Sequence, residues 1–315
     1  MTAPPGSVRL YALGRGQGVR KILIPFKKTK PLIYNFTLQN WGSAFKFIHL
    51  LKPTIMNTVI VPVDFSETSL NAARYAVKLL TGHKEVEIIL YNVFDKPEAE
   101  ENRIENLETF RAELLQHREA NITILTKLGH FLTELEKLAR HRQADLIVMG
   151  IIGHSSLAHA FMGSDALKMA ENKFCPVMII PTNAVYSEIK NVLFTTDLKN
   201  TMSTTPSVPI KKVLATFQPK LHIVNVNSDY YIALSEQYEG EQEKLKEMFA
   251  EFDPEFYFLR QYDIDEAIEQ LARDKNIDLI ITVQKQHSMV HKLFSTKHTK
   301  KLAYQSTMPV MVTHE

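Results

Sequence analysis

The sequence is short of several things, and each shortage excludes something. It has one cysteine, Cys175, in 315 residues. No intrachain disulfide can form, which favours a reducing compartment. Cys175 precedes Pro176 at a predicted strand start and reads as a buried, inert thiol. No apolar run reaches the roughly 20 residues that span a bilayer, so no transmembrane helix and no membrane partner are expected. H-E-x-x-H, the G-x-S-x-G elbow, the Walker A G-K-[ST] and the G-x-G-x-x-G dinucleotide fingerprint are all missing. A P-loop ATPase and a conventional NAD enzyme are therefore disfavoured, and catalysis has little support.

Acidic residues are absent from the first 55 positions, which hold nine Lys or Arg. The first carboxylate is Asp64. The remaining 260 residues carry 28 basic and 35 acidic side chains, a net charge of −7, which argues against nucleic acid as a partner. Residues 1–55 are thus expected to belong to neither domain and to lack regular structure. Three readings stay open for them: a transit-like presequence, a basic arm, or sequence upstream of a true start at Met56. "MNTVIVPVDF" opens a strand directly at that methionine.

What the chain does have is an internal repeat. "VIVPVD" (59–64) matches "VLFTTD" (192–197), "YNV" (91–93) matches "VNV" (224–226), "ADLIV" (144–148) matches "IDLII" (277–281), and "CPVMII" (175–180) matches "MPVMVT" (308–313). Every pair is offset by 133 residues. Two copies of one domain are expected, 56–183 and 190–315. In each, short β-branched apolar runs alternate with helical periodicity, Ser66 serving as an N-cap for the first helix. This alternation predicts a parallel sheet with helices on both faces, and a ligand edge at the carboxyl ends of the strands. The terminal strands, 176–180 and 309–313, are the expected seam between the copies, because each needs its edge covered.

Three of only 11 glycines fall in "VMGIIGHSSLAHAFMGSDALKM" (148–169). Gly150, Gly153, Gly163 and Ser164 make the pattern G-x2-G-x9-G-S. It lies between a strand and a helix, where bare backbone admits a sugar or phosphate and helix N–H groups suit an anion. The same residues also fit a strand-end turn followed by a helix start. Asp64, at the end of the first strand, could accept hydrogen bonds from an amino or hydroxyl group, or cap the following helix.

These stretches together resemble the universal stress protein family, ATP-binding branch, closely over 56–183 and more loosely over 190–315. The resemblance implies two tandem Rossmann-like domains of the adenine-nucleotide alpha hydrolase-like kind, each a five-stranded parallel α/β sheet. It implies that Asp64 and backbone at Pro62, Val63 and Val93 frame adenine, that Gly150 lies near the ribose, and that Gly153, Gly163, Ser164 and Asp165 hold phosphates. His154 matches a His or Arg common after the loop glycine. The implied ligand is ATP or ADP, with or without Mg, in a cytoplasmic stress or signalling module. Such a module hydrolyses ATP weakly at most, and its two domains pack as a pseudo-dimer that could itself pair as a homodimer. A nucleotide-independent scaffold of the same fold and an adenylyl-transfer enzyme are the alternatives.

In the second copy the offset turns Gly150, Gly153, Gly163 and Ser164 into Val283, Gln286, Thr296 and Lys297. Nucleotide is therefore expected in the first copy only. The loop at 283–301 holds five Lys, three His and no acid. It reads as a solvated basic loop, an anion or acidic-partner surface, or a metal pair at His287 and His291 if helical.

Overall fold

The computed structural model describes residues 11–16, 19–24, 32–37, 55–97, 100–116, 118–151, 161–182, 184–227, 236–260, 264–284 and 308–315. The chain divides into two units, Met1–Pro53 and Thr54–Glu315. In the first, β1 (Tyr11–Gly16), β2 (Val19–Ile24) and β3 (Leu32–Thr37) form an antiparallel sheet in that order. Tyr11 pairs with Leu23, and Arg20 with Phe36. This differs from the segment without regular structure expected from charge. "VRKILI" and "LIYNFT" are strand-forming runs, and neighbouring antiparallel strands pair through backbone regardless of net charge.

The second unit begins with β4 (Thr58–Pro62), α1 (Glu67–Leu79), β5 (Glu87–Phe94), α2 (Glu100–Leu115), β6 (Asn121–Leu128), α3 (Phe131–Arg142), β7 (Leu146–Ile151), α4 (Phe161–Glu171) and β8 (Val177–Pro181). It continues with β9 (Asn191–Thr196), α5 (Thr201–Thr204), α6 (Ser207–Phe217), β10 (Lys220–Asn227), α7 (Glu236–Met248), β11 (Glu255–Arg260), α8 (Ile264–Asp274), β12 (Leu279–Gln284) and β13 (Val310–His314). The ten strands form one sheet, β11-β10-β9-β12-β13-β8-β7-β4-β5-β6. Each half is parallel, and within it the third, second, first, fourth and fifth strands lie side by side. The halves join where β13 runs antiparallel to β8, Val310 against Ile179 and Val312 against Val177. That is the expected seam.

Alternation along the strands explains the layers. Val59, Val61, Leu146 and Val148 point to one face, covered by α1, α2, α6 and α7; Ile60, Ile147 and Met149 point to the other, covered by α3, α4 and α8. Both cores run across the seam. A sheet buried on both faces needs continuously apolar strands, and β7, LIVMGI, is buried throughout.

The 133-residue offset survives in three dimensions. Thr58 and Asn191, Glu87 and Lys220, Leu146 and Leu279, and Val177 and Val310 are the corresponding strand starts. Hydrogen bonds repeat with it. Asp145 Oδ2 accepts from the backbone N–H groups of Asn57 (2.6 Å) and Thr58 (3.1 Å). Asp278 Oδ2 accepts from those of Lys190 and Asn191, both at 2.9 Å. Phe65 and Leu198, also 133 apart, both turn out of their strands with positive φ, 67° and 51°. Across the seam Lys212 pairs with the buried Asp145, and the Met56 N–H donates to Thr216 Oγ1 at 3.2 Å.

Candidate functional site

Strand order reverses between β4 and β7, so the carboxyl ends of those strands are where this fold opens a crevice. Ser66 caps α1, accepting from the Ser69 N–H at 3.3 Å. Asp64 Oδ1 accepts from the Ser66 N–H (3.0 Å) and hydroxyl (2.6 Å). Asp64 therefore braces Ser66, the residue that caps α1, without itself bonding an N–H inside the helix, and its side chain is exposed at this edge.

Val63, the residue after β4, has both its backbone groups engaged. Its N–H donates to Tyr91 O at 2.9 Å, and its carbonyl accepts from Asn92 Nδ2 at 2.6 Å. The last β4–β5 pair is Pro62 with Tyr91. Glu87 N–H and Tyr91 C=O both face β4. Since N–H and C=O of alternate strand residues point the same way, Val93 turns its own N–H and C=O to that side, beyond the last pair. A donor and an acceptor there form an adjacent pair on the β5 side of the β4 end, one strand away from the β4–β7 reversal.

Gly150 meets a packing demand within the fold. β7 continues through Ile151, so Gly150 lies inside the strand, paired with Ile180. A β-carbon on it would lie 2.3 Å from Thr68 O and 2.7 Å from the Thr68 carbonyl carbon. The close approach expected there from a sugar or phosphate is made, on that side, by the first turn of α1. The helix after the loop also starts earlier than read, at Phe161, which puts Gly163 and Ser164 in its first turn. Asp165 pairs with Lys168 at 3.1 Å. Gly153 and His154 lie outside the described residues.

Sequence reasoning passed over Asn92, whose amide bridges β5 to β4. Its signal was the repeat itself: Asn225, 133 residues on, donates to Thr196 O at 3.0 Å. It also passed over Arg103, which donates from Nη1 to Asn92 Oδ1 at 3.2 Å.

The second half handles the same edge differently. Val283 stands where Gly150 does, buried in the core. The first turn after β9 is the separate four-residue α5, tied to α7 instead. Thr201 donates from its N–H (2.7 Å) and hydroxyl (2.6 Å) to Glu241 Oε2. Bonds from Lys244 and Thr201 hold the Glu241 carboxyl down at about 2. A valine β-carbon excludes the approach that Gly150 permits, and the helix start is found bound elsewhere. Gln286, His287, His291, Thr296 and Lys297 lie outside the described residues. Among the described residues no cluster of His, Cys, Asp or Glu could hold a metal ion. Cys175 is buried, donates to Ala144 O at 3.3 Å, and has its thiol pushed up to about 12 mainly by burial.

The model of the "Universal stress protein family" matches residues 56–181 and 220–314. The chain belongs to that family. No curated protein sequence matches it. Among solved structures, a universal stress protein from Archaeoglobus fulgidus DSM 4304 is 19% identical, with a TM-score of 0.60 over 83% of this chain and 97% of that one. A putative universal stress protein from Pseudomonas aeruginosa UCBPP-PA14 is 12% identical, with a TM-score of 0.55 over 82% and 93%. The cytoplasmic domain of a prokaryotic cation chloride cotransporter is 9% identical, with a TM-score of 0.50 over 82% and 95%. The tandem universal stress fold is thus shown, and it is shared by a domain of a cation chloride cotransporter, so the ligand has to be argued from this chain's own residues. No described helix is long and apolar enough to cross a membrane.

Proposed function

We propose that this universal stress protein is a nucleotide-binding module that holds one ATP or ADP in residues 56–183, with no dedicated catalytic machinery and an empty-handed second domain at 190–315. The observation that carries the reading is the Val93 peptide. Its N–H and C=O face the gap where β4 stops, and such a pair matches the acceptor N1 and donor N6 of adenine. Asp64, exposed beside it, is suited to a ribose hydroxyl or amino group. The G-x2-G-x9-G-S spacing then puts Gly163 and Ser164 at the N-terminal turn of α4, which favours phosphate through its unpaired N–H groups and dipole. Magnesium, if present, would accompany the phosphates.

One observation favours the scaffold reading: packing against Thr68 alone is enough to require glycine at 150. The two readings separate in one experiment. The purified full chain is denatured and the released small molecules are identified by mass spectrometry. Adenine nucleotide at close to one per chain supports the module; its absence there and in titration supports the scaffold.

A further inference from the structure

Arg103 is the one described residue with a buried side-chain nitrogen that no partner satisfies. Its Nε is sealed from water and unbonded, while Nη1 donates to Asn92 Oδ1 and the guanidinium lies 5.7 Å from the Phe94 ring centroid. Leaving such a donor unpaired costs stability. Among the described residues the cation meets a neutral amide and a ring and no carboxylate.

The amide is the informative partner. Asn92 is fully buried, and its Nδ2 donates the 2.6 Å bond to Val63 O. A cation on one end of an amide polarises it and strengthens donation from the other. The chain Arg103 → Asn92 → Val63 therefore fixes the Val63–Asp64 peptide, just past β4, before Phe65 turns away with positive φ. That peptide sets the width of the gap that Val93 faces and the position of Asp64. In the second half the amide bridge recurs at Asn225, but the residue 133 after Arg103 is Glu236. Among the described residues the cationic end is found in the half that keeps the glycine spacing.

We propose that Arg103 is a positioning residue for nucleotide, setting the adenine edge through Asn92 and Val63. This rests on the nucleotide reading above. Arg103→Met keeps the stem against Phe94 and removes the charge and the orphaned nitrogen; Arg103→Lys restores a cation. ATP and GTP are titrated into the full chain and both variants, and ligand-free melting is followed alongside. Loss of the cationic end of the amide predicts ATP binding weaker by about tenfold in Arg103→Met, a smaller preference for ATP over GTP, substantial recovery in Arg103→Lys, and ligand-free melting not lowered enough to explain the weaker binding, because an unpaired Asn92 Oδ1 takes the place of the unpaired Arg103 Nε. Unaltered affinity in Arg103→Met, or a fall in ligand-free melting that accounts for the weaker binding, would overturn it. If the wild-type chain binds neither nucleotide, the nucleotide reading fails and takes the positioning role with it. The hydrogen-bond chain is then judged separately, by exchange of the Asn92 side-chain amide: protection should drop in Arg103→Met, and equal protection would refute the chain too.

Discussion

Thr68 O occupies the space a side chain would need at Gly150, 2.3 Å from where a β-carbon would stand. Gly150→Ala should therefore lower stability by ~1–3 kcal/mol, the usual cost of overpacking a close-packed interior. Urea denaturation measures it. An unchanged midpoint would mean that α1 is not seated on β7.

Asp145 and Asp278 make the same pair of backbone bonds in the two halves, but only Asp145 also holds a lysine across the seam, Lys212. Asp145→Ala leaves that partly buried cation unpaired and should cost ~3–5 kcal/mol. Asp278→Ala, which frees two N–H groups and the exposed Ser187 hydroxyl, should cost ~1–3 kcal/mol. Equilibrium denaturation of both compares them, and equal costs would remove the seam ion pair as a stabilising element.

Much of this fold was legible because the strands are buried on both faces. Runs such as TVIVP and LIVMGI cannot be half-exposed, and the 133-residue offset doubled every signal. The seam followed from the edge problem of β8 and β13. The meander at 11–37 is not legible from charge imbalance, because its strands rest on local strand propensity and backbone pairing. At the site, spacing identified the glycines but not what each one faces. That Gly150 answers to Thr68 depends on how α1 leans over β7, a tertiary relation with no local pattern. Arg103 was invisible for a similar reason: on a charged helix one arginine looks like another until its nitrogen is found buried.

Glu241 is held down to about 2 against an ordinary 4.5, first by Lys244 and then by Thr201. A depressed carboxyl contributes stability above its unfolded pKa and loses it as pH falls toward the folded value. The Glu241 contribution should be complete above pH 4.5 and disappear on the way to about 2. In Glu241→Gln the stability curve should be flatter across that window. If wild type and variant lose stability in parallel there, the bond to Thr201 does not anchor α5.

Cys175, with its thiol raised to about 12 and buried, should resist alkylation in the native protein at pH 8 and react fully once unfolded. Iodoacetamide labelling read by intact mass tests this. Rapid native labelling would show that the β7–β8 end of the sheet opens.

The central claim is one nucleotide, in the first domain. Titration calorimetry of ATP into the full chain measures it directly, with Gly163→Val as the matched control and its melting temperature checked for an intact fold. The expected stoichiometry is about one per chain, with binding abolished in a folded Gly163→Val protein. Two equivalent sites, or binding that survives in that variant, would contradict it.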